Sequence, residues 1–296
     1  MTKKKAFDFI LVDIATLIYL ALLSLVVLIF SYNQAHWQLY ILFNLLVSAI
    51  VLLMAGWLSG KSSNIAKFFR HWYPIILFTF IYEEAGGLIH LIFPGWLDSY
   101  INLLELKLFG IHPTVWLENF LCSFLNEYMM FCYFSYYFLL PILGIVLYFN
   151  SKIKEFDHLT FTSAVAFYIS YLGFVFMPVE GPRFNLCALH KLELEGPLFT
   201  RLVEKVIDIG GLHGGCMPSS HVAVALVVLV MAYRYHRTLF FILSPIVLTL
   251  FVATVYGRFH YVSDVIAGLL VGGVSIVICD RIDAIWRKKR QQGAFQ

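Results

Sequence analysis

The chain has 296 residues, 60% of them hydrophobic and 13% charged, with a net charge of +3 and a mean hydropathy of +0.81. An average soluble domain is about 45–50% apolar and about 25% charged, so a water-soluble globular protein is excluded. The small positive excess reports membrane orientation and contact with anionic lipid, not a nucleic-acid surface.

Apolar runs punctuated by basic residues predict an all-α, multi-pass transmembrane bundle of about eight spans. In chain order they fall at 10–31, 38–58, 72–93, 127–149, 159–178, 218–233, 238–256 and 262–282. The run of Lys3, Lys4 and Lys5 precedes an apolar stretch too long for a signal peptide and lacking a small-residue cleavage site, so it reads as a retained first span. Eight crossings put both termini on one side. With that side cytoplasmic, fifteen of the 21 Lys and Arg lie inside, among them Lys61, Lys67, Arg70, Lys152, Lys154, Arg234, Arg237 and the cluster from Arg287 to Arg290. Only Lys107, Arg183, Lys191, Arg201, Lys205 and Arg258 fall outside, which is the positive-inside pattern. The third span carries Glu83, Glu84, Gly86 and Gly87, so a re-entrant or broken helix is the alternative there.

The organisation is an N-terminal transmembrane region (1–158), a catalytic transmembrane core (159–282) and a basic cytoplasmic tail (283–296). The two longest polar stretches, 94–126 and 179–217, lie on the non-cytoplasmic side. In the first, an apolar-periodic segment from Ile101 to Phe109 reads either as an interfacial amphipathic helix or as a packed loop helix. In the second, Cys187 and Cys216 are either a disulfide in an oxidising compartment or two small apolar residues. No zinc-type spacing such as C-x-x-C is present, and neither metal nor cofactor is expected.

Three polar clusters carry the chemistry, and the topology sends all three to one membrane face: Gly181-Pro182-Arg183, CMPSSHVA at 216–223 and YGRFHYVSD at 256–264. Pro218, Ser219 and Ser220 stand where a span begins, so free amides and the positive end of a helix dipole can hold phosphate oxygens, with the serine hydroxyls assisting. His221 beside them can protonate a departing alkoxide. His260 and Asp264 are four apart, on one face if the helix has begun by His260. A carboxylate accepting the Nδ1 proton leaves Nε2 free and more nucleophilic. Arg183 and Arg258 can spread the charge of a transferring phosphoryl group. Glu83 and Glu84 are costly inside a span and, with His90 seven residues after Glu83, are candidates for a supporting role around the site. Tyr133, Tyr136 and Tyr137 read as span packing and interface belts.

This ordered set resembles the type 2 phosphatidic acid phosphatase superfamily, whose signatures are roughly K-x6-R-P, P-S-G-H and S-R-x5-H-x3-D. Arg183, the string from Pro218 to His221, and the pair His260 and Asp264 occupy the matching places, over about residues 159–280. The resemblance implies His260 as the nucleophile forming a phosphohistidine, His221 as the acid for the leaving group and Asp264 as the partner of His260. The chain departs from the signatures at Phe176, Phe184, Ser220 and Thr254, so two cationic phosphate ligands are missing. Arg258 is expected to take over part of their role, and the R-x-H-Y-x-x-D form looks like the inositolphosphotransferase branch that makes inositol phosphoceramide.

The leading expectation is therefore a metal-independent lipid phosphate or diphosphate phosphatase with its site on the periplasmic or lumenal face, acting on a membrane lipid and on no nucleic acid. The alternative is a phosphotransferase that moves a phospho-headgroup to an alcohol or ceramide-like acceptor. A lipid transporter ranks lower, because the clusters sit at one end and no repeated halves appear.

Overall fold

The computed structural model describes residues 8–58, 61 and 63–293; Lys3, Lys4 and Lys5 lie outside the described residues. Within them the chain forms twelve α-helices and no strand. They are α1 (Leu11–Ile29), α2 (Trp37–Trp57), α3 (Asn64–Gly87), α4 (Asp98–Phe109), α5 (Pro113–Trp116), α6 (Ser123–Phe149), α7 (Ile153–Phe176), α8 (Pro182–Asn185), α9 (Phe199–Gly210), α10 (Ser220–Tyr235), α11 (Arg237–Tyr256) and α12 (Val262–Gly293). The protein is an all-α, multi-pass membrane bundle. Six helices, α1, α2, α6, α7, α11 and α12, are long and apolar enough to cross a bilayer. Helices α3 and α10 stand at the two remaining expected spans, α10 with only 16 residues and α3 carrying Lys67, Arg70, Glu83 and Glu84.

Helix α3 runs unbroken through both glutamates and begins eight residues earlier than residue 72, where the span is expected. Arg70 makes a loop of that region in the sequence, yet its guanidinium is buried and donates to Asp13 Oδ1 of α1 at 3.0 Å and to the Asp8 carbonyl at 2.9 Å. Tyr73 donates to the same carboxylate. A paired charge can lie inside a helix interface where an unpaired one could not. Likewise α12 continues past residue 282, so Arg287 and Arg290 ride on its last turns and reach the Lys154 carbonyl and Asp8.

Helix α10 is the hub, packed by α6, α7, α11 and α12; α7 joins this group to α1 and α3. Its contact with α12 is unusually close because Gly268 and Gly272 lie one turn apart on the facing stripe. A Cβ at Gly268 would stand 2.5 Å from the Ser219 carbonyl and one at Gly272 2.7 Å from the Ala223 carbonyl. Small residues at this spacing let helix backbones meet. The consequence is local to the site: the Ser219 amide donates to the Asp264 carbonyl at 3.1 Å, which ties the start of α10 to the start of α12.

Helix α4 covers the apolar-periodic part of the 94–126 stretch. Its inner face is acidic, with Asp98 and Glu105 buried beside Ile101, and its outer face is apolar, with Tyr100, Leu103, Leu104, Leu108 and Phe109 exposed. It packs against α12 and turns carboxylates inward to hold loops, the reverse of a soluble amphipathic helix.

Candidate active site

The cluster 256–264 turns between α11 and α12, and Tyr261 is the residue before the first turn of α12. Its amide donates to Asp264 Oδ2 at 2.9 Å, the carboxylate half of a capping box. His260 therefore precedes the helix, and the one-face expectation for His260 and Asp264 is corrected: the two meet because the cap folds the carboxylate back. His260 Nδ1 lies 3.4 Å from Asp264 Oδ2, with both side chains buried. Asp264 Oδ1 makes no hydrogen bond.

Ser219 caps α10, its hydroxyl accepting from the Val222 amide at 3.4 Å. That fixes His221 in the first turn, where its ring stacks on Tyr133, lies tilted against Tyr136 and has its Nε2 3.3 Å from the Tyr133 hydroxyl. The rings of His221 and His260 have centroids 5.7 Å apart. Both line a cavity of about 410 Å³ shared with Arg183, Ser220, Glu83 and Tyr82. Arg183 sits 6.0 Å from the centre of the Phe259 ring. Tyr133, Tyr136 and Tyr137 also line this cavity, so the reading of these residues as packing and belts alone is corrected for a cavity wall.

Other expected residues are placed elsewhere. Ser219 is fully buried as a cap and is not part of the cavity wall. Arg258 points away from the cavity: it pairs with Glu118 Oε1 at 2.8 Å and donates to the Leu192 carbonyl at 2.5 Å. Burial, offset by Glu118 and reinforced by the charge of Arg183, holds its basicity below the usual guanidinium range. The Glu118 carboxyl is pushed up by burial, but the Lys191 amide, Arg258 and His190 outweigh this and hold it below the usual carboxylate range. Glu84 turns from the cavity toward the Asn44 side chain of α2. His90 is exposed, packs edge-on against Trp96 and meets the Phe93 carbonyl at 3.1 Å. Cys187 and Cys216 are unbonded, the first exposed and the second buried; the Cys216 thiol donates to the Glu180 and Phe259 carbonyls at 3.2 and 3.4 Å.

The sequence reading passed over the residues that hold the first and third clusters in place. Asp98 accepts from the amides of Glu180 and Gly181 at 2.8 and 2.9 Å and from the Tyr261 hydroxyl at 2.9 Å. Glu105 accepts from the Ser263 amide and hydroxyl, both at 2.9 Å. Two carboxylates seven residues apart, on one face of a mostly apolar helix, were the available signal.

Two imidazoles facing across a cavity, one backed by a carboxylate, with an arginine and a helix N-terminus alongside, can divide nucleophilic and acid roles in phosphoryl transfer. A family model described as the PAP2 superfamily matches residues 103–278, more than half of the chain. The chain belongs to the PAP2 superfamily. The match begins at residue 103, so it takes in most of α4, ahead of the point near residue 159 where the motifs suggest it. No curated protein and no solved structure matches the chain. PAP2 superfamily members are phosphatases and phosphotransferases, and membership supports an enzyme of that class here.

Proposed function

We propose that this PAP2 protein is an integral membrane phosphatase that cleaves a lipid phosphate or diphosphate by double displacement. The observation that carries the reading is the pair His221 and His260, 5.7 Å apart on the wall of a cavity that also holds Arg183. Nε2 of His260 attacks phosphorus as the bond to the lipid oxygen breaks, and His221 gives that oxygen its proton. Water then attacks the phosphohistidine, with His221 taking the proton back, and free phosphate leaves. Asp264 orients the His260 ring, while Arg183 and the amides opening α10 stabilise the equatorial oxygens. No step asks for a metal. The distribution of Lys and Arg supports cytoplasmic termini and a site facing the periplasm or a lumen.

A second reading is favoured by one feature of the cavity. The hydroxyl-bearing side chains of Tyr82, Tyr136 and Tyr137, with Glu83, provide room and hydrogen bonding for an alcohol acceptor beside the histidines, which suits a phosphotransferase of the inositolphosphotransferase type. The test is release of free phosphate by purified, detergent-solubilised protein from phosphatidic acid and from a polyprenyl diphosphate, with His260→Ala as blank. Release by the wild type alone supports the phosphatase. A new phospholipid or phosphosphingolipid that appears only with an added alcohol acceptor, without phosphate release, assigns the transferase.

A further inference from the structure

We propose that Cys216, His260 and Asp264 form a binding site for a soft divalent metal, Zn²⁺ above all, and that metal held there switches the enzyme off. The ligand atoms of the three side chains lie within 4.8 Å of one another. They supply one sulfur, one nitrogen and one oxygen, a donor set suited to zinc, which leaves a fourth position open when three protein groups bind it. The separation of 3.4 Å between His260 Nδ1 and Asp264 Oδ2 is close to the edge of a tetrahedron whose metal bonds are about 2.0–2.1 Å long. Two of its corners are thus already spaced for zinc.

A further observation points to a ligand. Asp264 Oδ1 is buried without a hydrogen-bond partner, on a side chain whose exposure is 0%, beside a His260 side chain exposed by 6%. An unsatisfied polar atom of this kind calls for an ion, a water or a role. Beside the sulfur, Gly181 adopts a φ of +105°, and a Cβ there would stand 2.6 Å from Cys216 Sγ. The absence of a side chain at residue 181 is what lets the sulfur sit where it does.

Inhibition follows from the tautomer and rests on the assignment of His260 as nucleophile. A neutral imidazole that gives its Nδ1 lone pair to a metal carries its proton on Nε2. That nitrogen then has no lone pair for phosphorus, and Asp264 is withdrawn from orienting the ring. Binding releases the thiol proton to solvent and changes no oxidation state, so a chelator reverses it.

The test uses the full chain in detergent, stripped with chelator, loaded with Zn²⁺ and desalted before elemental analysis. Wild type and Cys187→Ser should each retain one zinc per chain, and Cys216→Ser and Cys216→Ala should bind at least tenfold more weakly. Co²⁺ in place of Zn²⁺ should give a thiolate charge-transfer band that both Cys216 variants lose. Zinc should suppress wild-type turnover at concentrations that leave each Cys216 variant at its own zinc-free rate. No retained zinc in the wild type, or equal retention in the Cys216 variants, overturns the site. Zinc held through Cys216 with turnover unaffected overturns the inhibition. A protein that binds zinc but acts on no lipid phosphate leaves the site standing and overturns the proposed function instead.

Discussion

Asp98 Oδ1 accepts the phenolic proton of Tyr261 at 2.9 Å, although the two residues are 163 positions apart. The same carboxylate holds the amides of Glu180 and Gly181, so one side chain on α4 joins the loop before Arg183 to the loop of His260. Burial and the Asp98 charge push the Tyr261 hydroxyl well above its usual range, so it stays protonated and keeps donating.

Asp98→Asn should therefore lower kcat more than it changes KM. Hydrogen bonds to a charged group are worth about 1.5–3 kcal/mol, so a loss of roughly ten- to a hundredfold in turnover is expected. Tyr261→Phe should lose less, and the double variant should fall short of the sum, since both act through one network. Steady-state kinetics of the three proteins check this, and independent, additive losses would argue against the coupling.

Glu118 offers a test by pH. Its carboxyl is held below the usual value of 4.5, so its contribution to stability is present above that value and is lost as pH falls through the lower folded value. Thermal unfolding followed from pH 6 down to about pH 3 should show a drop in the wild type that is smaller in Glu118→Gln, where Arg258 has already lost its anion. Identical acid profiles would mean that the Arg258 to Glu118 pair does not anchor the loop.

The neighbours Glu83 and Glu84 should part company. Glu83 faces the cavity, so Glu83→Gln should alter KM or the choice of acceptor. Glu84 is buried with only the neutral Asn44 side chain beside it, and replacing a buried acid that has no cation by a neutral amide removes a burial cost. Glu84→Gln should leave turnover intact and raise the thermal midpoint by a few degrees, which scanning fluorimetry in detergent would record.

Much of the fold was legible because a bilayer constrains sequence severely: apolar runs such as those of α1, α2 and α11 announce themselves by length and hydropathy. The start of α3 was not, since Arg70 reads as a loop residue until Asp13, 57 positions away, is seen to neutralise it. The chemistry-bearing histidines were found from local motifs, and the cavity brings His221, His260, Arg183 and Ser220 together. Arg258 was expected at the phosphate by its position two residues before His260. Its backbone is left-handed at φ +64°, and the side chain reaches Glu118 instead, a direction that spacing alone does not encode. Asp98 was missed because its partners lie in two distant segments, around Gly181 and at Tyr261, and its spacing of seven from Glu105 does not say what the two carboxylates hold.

The central claim is the covalent role of His260, and rapid-quench labelling tests it most directly. Protein turning over a lipid substrate labelled in its phosphate should be denatured at alkaline pH, which preserves a phosphohistidine, digested and mapped. The predicted result is an acid-labile label on the peptide containing His260, absent from His260→Ala. Label on another residue, or undiminished label in His260→Ala, would contradict the account.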